Sequence, residues 1–246
     1  MAGSRKNAFT LIELLVIIAV TALLIAVLIP SLQAAKEQAR RVHCATNLRT
    51  IGLGIVSFAG NNDDFLPTPQ YTAGTSPMRA YVCYEAARPE TPLQLAQLFE
   101  EGYIGDSPRI LYCPSAAAEY RNYTADGPWG TVYVNGYIHA AYLYAPLSKE
   151  RDAIGLPLIS PRPRLRDLAQ NRSIVTDKID TWNNVAHQPS ENIRGINVLF
   201  VDGSVRFCSE ESVMDFDLWH PFGAHSSLGP GASDIAVRAI LSSIMP

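Results

Sequence analysis

Glu13 is the single charged residue in the segment FTLIELLVIIAVTALLIAVLIPSL, residues 9–32, where Thr10, Thr21 and Ser31 are the other polar side chains. A carboxylate in so apolar a helix costs a few kcal/mol in a bilayer unless something compensates it. Thr10 and Glu13 have the S/T-x-x-E spacing of a capping box, in which each residue satisfies backbone donors at a helix start. Four cysteines, Cys44, Cys83, Cys113 and Cys208, show no CxxC spacing and no nearby histidine pair, so they do not form a zinc knuckle motif. In an exported domain they are candidate disulfide partners. Three full pairings are open, beside the alternative of four buried thiols. Asp177, Asp180 and Asp202, and the stretch Asn61 to Asp64, offer oxygen ligands for Ca²⁺, although turn chemistry accounts for them equally well. No metal or other cofactor is assigned on these grounds, Ca²⁺ being the one candidate. The five histidines (His43, His139, His187, His220, His225) lie far apart, and the chain has no GxSxG, HExxH, Walker-type or GxGxxG motif. The reading is therefore not an enzyme. An exported hydrolase using Asp177 or Asp202 is the weakest alternative. Trp129, Trp182 and Trp219 could stack on sugar rings, but sheet core is the simpler use for them.

These groups must be carried by elements legible in the pattern. Residues 9–32 are long enough to span a bilayer, and Arg5 and Lys6 just upstream place positive charge on the cytoplasmic side. Apolar residues then recur at helical spacing through Leu32, Ala35, Ala39, Val42, Leu48, Ile51, Ile55 and Phe58, predicting one helix from Phe9 to Ala59 that breaks at Gly60-Asn61-Asn62-Asp63-Asp64. Beyond it a short helix is expected over Thr91–Glu101 and an extended run over Arg109–Cys113. Strands or a hairpin are expected over Thr131–Ala145 around Asn135-Gly136, and a proline-rich connector over Leu156–Leu165. A strand is expected at Ser173–Asp177, and a last helix near Ser233–Ile244. The clearest hairpin is Ile196–Val201 and Ser204–Cys208, joined by a two-residue Asp202-Gly203 turn. The sum is an α+β fold, a long N-terminal helix packed on a small antiparallel sheet. The formal charge of −3 becomes −5 (18 basic against 23 acidic) once residues 1–8 are set aside, which does not suggest nucleic-acid binding.

The run AFTLIELLVIIAV behind a short basic leader resembles the type IV prepilin and pseudopilin signal. That resemblance implies cleavage between Ala8 and Phe9 by a prepilin peptidase that also N-methylates Phe9. It further implies that Glu13 pairs with a neighbouring subunit's terminal amine, and that Pro30 is the proline that such helices carry part way along. The family usually has Gly before the cut, where this chain has Ala8. The later runs CATNLRTIGLGIVSFAGNNDDFLPTP, LYCPS and NVLFVDGSVRF resemble a bacterial pseudopilin-like family with a C-terminal His-x9-Asp-Gly motif, a likeness running from Phe9 to about Phe207. The motif is degenerate here, with Asn192 at the His place and Ser204 where a second His often stands.

The expected organisation is a leader (1–8), a transmembrane and assembly helix (9–32), its amphipathic continuation (33–60) and an exported α+β domain (61–246). The expected function is a structural subunit of a type IV pilus or a type II secretion-like filament. Its partners would be the peptidase, identical or related subunits, an inner-membrane assembly platform and lipid, with the N-terminus cytoplasmic and the domain periplasmic or extracellular. The alternative is a membrane-tethered domain that binds a glycan or surface polymer and never polymerises.

Overall fold

The computed structural model describes residues 10–70, 80–85, 87–88, 90–115, 137–177, 187–190, 193–209, 213 and 237–244. Helix α1 (Leu11–Asn61) is a single α-helix of 51 residues, about 75 Å long at 1.5 Å per residue. Thr10 caps it. The Glu13 carboxylate accepts from the Thr10 backbone N–H and hydroxyl, both at 2.8 Å, and the Thr10 oxygen accepts from the Glu13 backbone N–H at 3.3 Å. The capping box is complete. Pro30 lies within the helix without ending it. Thr21 and Ser31 turn their hydroxyls back onto the carbonyls of Ile17 and Leu28, at 2.9 and 3.0 Å, so neither presents an unmet donor to an apolar environment. The helix stops where Asp63 and Asp64 take φ values of 52° and 69° and the Asn62 amide donates to the Phe58 carbonyl at 2.9 Å.

The rest of the chain adds β1 (Val82–Glu85), α2 (Leu95–Glu100), β2 (Tyr137–His139), β3 (Tyr142–Tyr144), β4 (Leu147–Arg151), β5 (Pro157–Ile159), β6 (Ser173–Asp177), β7 (His187–Ser190), β8 (Ile193–Phe200) and β9 (Val205–Cys208). A last helix, α3 (237–243), closes the described chain. Every described strand pairing is antiparallel: β1 with β2, β4 with β5, and a five-stranded sheet ordered β3-β6-β8-β7 in which β9 also pairs with β8. The fold is α+β, a long helix on antiparallel sheet.

β8 shows why both faces of that sheet are covered. Successive side chains on a strand point to opposite faces. Leu199 packs in the cluster under α1 with Leu48, Ile51 and Ile55, while Ile196, Val198 and Phe200 pack with Val237, Ile240, Leu241 and Ile244 around α3. α3 is further tied down by Arg238, whose guanidinium lies 2.6 Å from the Asp152 carboxylate. This bond holds the Asp152 carboxyl below its ordinary range.

Four details differ from the sequence expectation. Pro108–Leu111 is a 3-10 turn with Pro108 at its start, not an extended run, because the proline ring presets a helical φ. Helix α2 begins at Leu95, four residues later than expected, after Gln94 at φ 51°. The proline-rich connector contains β5, which pairs with β4. The β8–β9 loop is three residues rather than two. Gly203 donates to the Phe200 carbonyl at 2.9 Å, Phe200 donates to the Ser204 carbonyl at 2.9 Å, and Gly203 takes φ 82°. That is a three-residue hairpin loop closed by a glycine in the left-handed region. The Asn135-Gly136 turn lies outside the described residues.

α1 meets the domain closely enough that one glycine is required. A Cβ on Gly54 would collide with Ile104 Cγ2, whereas one on Gly60 would meet nothing within 4 Å. Alanine gains about 1 kcal/mol of helix propensity over glycine at either position, but overpacking costs about 1–3 kcal/mol. Gly54→Ala is therefore expected to lower the denaturation midpoint of the full chain in detergent and Gly60→Ala to leave it unchanged or raised. Equal effects of the two would remove the close-approach argument.

Candidate functional site

Two regions gather the residues that matter. The first is the N-terminal half of α1. Its apolar side chains are exposed on all sides, including Leu11 at 81%, Val27 at 71% and Leu32 at 67%, and every residue from 10 to 36 is exposed. An apolar surface of this size has to be covered by lipid, by other helices or by both.

The second region is the joint where α1 meets the sheet. Glu37, Arg41, Cys44 and Leu48 are spaced three and four apart and so share one helix face. Under them a row of side chains crosses the sheet. Tyr142 pairs with Asp177, Thr176 with Val198, and Asn197 with Phe207, which sets Tyr142, Asp177, Asn197 and Phe207 side by side on the α1 face. His187 pairs with Gly195 one step along, and the Phe207 ring lies over that glycine, where a Cβ would strike it. The Arg41 guanidinium stacks 4.2 Å from the Phe207 ring centroid.

The polar groups of this joint are buried and connected. Asp177 Oδ2 accepts from the Asn197 backbone N–H at 2.6 Å and its side-chain amide at 3.0 Å. His187 Nδ1 is 2.8 Å from Glu37 Oε1, and its Nε2 is 3.2 Å from Asp177 Oδ2 and 2.9 Å from Asn197 Nδ2. Burial alone would lower the His187 pKa, but the bonds and charges of Asp177 and then Glu37 outweigh it and hold the imidazole above the ordinary histidine value. Ser115 donates to the same Glu37 oxygen at 2.8 Å, and Asn47 donates to the Tyr142 hydroxyl at 3.2 Å. Above this network Cys44 and Cys113 form a disulfide with Cα atoms 5.4 Å apart, tying α1 to the segment after the 3-10 turn. Cys83 and Cys208 are buried outside that bridge, and burial pushes the Cys83 thiol pKa well up.

The Ca²⁺ candidates do not converge. Asp177 sits at the joint beside Asn197, whereas Asp202 lies in the β8–β9 loop, where Oδ1 accepts from the Ser204 N–H at 2.8 Å and hydroxyl at 2.7 Å. Asp64 accepts from the Arg166 N–H at 3.2 Å. Ala8, Phe9, Asp180, Asn192 and the three tryptophans lie outside the described residues. Glu37, His187 and Asn197 were not singled out in the sequence. Asn197 could have been noticed as the one polar residue in the strand run INVLF, but nothing near Glu37 or His187 announces their meeting across a separation of 150 residues.

Known proteins match the N-terminal region alone. The chain carries the prokaryotic N-terminal methylation motif, matched over residues 3–29. No curated protein and no solved structure matches significantly. The motif is typical of type IV pilins and pseudopilins and supports a pilin-like precursor processed by prepilin peptidase. It marks pilin-like structural proteins, and with the one membrane-length apolar helix among the described residues it is compatible with a membrane-anchored, single-pass chain.

Replacing the Asn197 side chain would take one donor from the buried Asp177 carboxylate, leaving the residue-197 backbone N–H and His187 Nε2 on it. Asn197→Leu is expected to destabilise the domain by about 1–3 kcal/mol, since a buried carboxylate loses a hydrogen-bond donor that apolar surroundings cannot replace. Denaturant unfolding measures this, and a change within 0.5 kcal/mol would show that the network adds nothing.

Proposed function

We propose that the protein is a structural subunit of a type IV pilus or a type II secretion-like filament. Supporting the reading is the methylation motif on a helix whose first half is apolar on every side and projects from the domain. In this reading residues 1–8 are a leader removed between Ala8 and Phe9, with N-methylation of the new terminus. Residues 9–32 hold the subunit in the inner membrane with its N-terminus cytoplasmic, and the domain from residue 61 stands in the periplasm or outside the cell. An assembly platform then draws the helix out of lipid into a bundle of identical or related subunits.

The mechanism is packing. Helices meet apolar face to apolar face, and the Phe9 amine of one subunit approaches Glu13 of another, which sets the axial register and neutralises a charge that neither lipid nor bundle solvates. The capping box leaves room for this. Both Thr10 side-chain and backbone contacts fall on Glu13 Oε2, and a carboxylate has about four acceptor positions. Pro30 removes the hydrogen bond that the Ala26 carbonyl would otherwise accept, giving the helix a point at which to bend or locally loosen during packing.

Mass analysis of the N-terminus from membranes with and without active peptidase tests processing, and a chain starting at methylated Phe9 is the expected product. Retention of Met1 under active peptidase would overturn it. For assembly, Glu13→Gln is more informative than Glu13→Ala. Gln can still close the capping box but carries no charge. Both variants are expected to insert in the membrane and to lose filaments, and normal filaments from Glu13→Gln would reduce Glu13 to a helix cap.

A further inference from the structure

The joint holds a second set of groups that neither the helix nor the disulfide uses fully. One ligand atom each from Cys44, Cys113, Asp177 and His187 lies within 4.8 Å of all the others, and all four residues are buried. We propose that in the dithiol form of Cys44 and Cys113 these four groups bind one Zn²⁺ ion, so that disulfide and metal are alternative clamps at the same place.

The distances suit the ion. Tetrahedral Zn²⁺ with Zn–S near 2.3 Å and Zn–N or Zn–O near 2.1 Å sets ligand atoms about 3.6 Å apart for S and N and about 3.4 Å for N and O. Cys113 Sγ is 3.6 Å from His187 Nε2, and Nε2 is 3.2 Å from Asp177 Oδ2. The two sulfurs must move apart, from bonding distance to about 3.8 Å, which breaking the S–S bond allows.

The surroundings also suit a metal. Glu37 takes the Nδ1 side of His187, which orients the ring and sets Nε2 among Asn197 Nδ2, Asp177 Oδ2 and Cys113 Sγ, so the Asn197 amide must turn aside when a metal takes Nε2. A carboxylate behind a histidine is the usual outer support of a metal-bound imidazole. Asp177 is wholly buried; its Oδ2, the oxygen measured to Nε2, also accepts from Asn197, and its Oδ1 has no hydrogen-bond partner among the described residues, so the carboxylate keeps an unmet acceptor. An acceptor in that position lacks a cation or a donor. Two sulfurs, one imidazole and one carboxylate select Zn²⁺ over Ca²⁺, which takes oxygen ligands.

The exchange balances. A dithiol reductant delivers two electrons and two protons to the Cys44–Cys113 bond and leaves as its own disulfide; each cysteine becomes a thiol. Zn²⁺ then displaces the two thiol protons to solvent and binds the thiolates. A disulfide oxidant takes two electrons from the thiolates and two protons from solvent, leaves as its dithiol, and the re-formed Cys44–Cys113 bond releases the ion. Either clamp joins α1 to the segment carrying Cys113, but the metal also joins β6 and β7.

The test uses the full chain in detergent, reduced with a phosphine, desalted without oxygen and titrated with Co²⁺ and then Zn²⁺, with circular dichroism reporting folding. One equivalent of Co²⁺ is expected to give tetrahedral d–d bands and a thiolate-to-cobalt charge-transfer band, which Zn²⁺ abolishes. The unreduced chain and the Cys44→Ser/Cys113→Ser variant should show neither. Glu37→Gln, at a partly exposed position and retaining an acceptor for Nδ1, should fold and weaken binding about 10- to 100-fold. The proposal is overturned if the reduced chain shows no charge-transfer band at equimolar Co²⁺, whether it is folded or stays unfolded with the metal added. Unchanged binding in the double serine variant overturns it equally, because the ion would then sit elsewhere.

Discussion

A helix that is apolar over its first half apart from Glu13, and that carries a single apolar stripe over its second, must live in two environments at once. The first half has no partner in the domain, and Leu11, Val27 and Leu32 stand open. The second half is buried at Cys44, Leu48, Ile51, Ile55 and Phe58, a repeat of three and four residues that lays one face on the sheet. Both demands fall on one unbroken rod. The domain therefore cannot move relative to the anchor except by bending the helix or by shifting at the joint, and the stiffness of that joint decides how the apolar half is presented.

This explains the concentration of strong interactions between residues 37 and 54. Within that stretch the helix contributes a half-buried carboxylate, a stacked guanidinium, a disulfide and a glycine approached by Ile104. A disulfide enclosing a loop of 69 residues restricts the unfolded chain by about 4 kcal/mol in the chain-entropy account. The buried network around Asp177 adds geometry more than net stability, since desolvating a charge offsets much of what its bonds return. Its use is to fix one seating of the helix on the sheet.

The sheet is covered by α1 on one face and by α3 on the other, so β8 is apolar at Ile196, Val198, Leu199 and Phe200 on both sides. Asn197 is the exception, and it is polar because the row beneath α1 carries Asp177 and His187. A polar residue in a doubly covered strand marks the place where the helix face above it is polar too.

Local pattern was enough for whatever depends on near neighbours. The apolar run, the Thr10–Glu13 spacing and the helical repeat through Phe58 read directly as a capped, membrane-length helix with an amphipathic extension, since each rests on contacts within one or two turns. The β8–β9 hairpin was legible for the same reason, although its loop is one residue longer than Asp202-Gly203 implied: whether a turn has two or three residues depends on the strand register, not on the turn residues alone. What only the tertiary structure decided is the joint. Three cysteine pairings were open from sequence, and the choice of Cys44 with Cys113 follows from where the 3-10 turn meets α1. Glu37 and His187, and Asp177 and Asn197, meet only because strand register and helix docking bring them together, and no local periodicity records a contact made by the packing of distant elements.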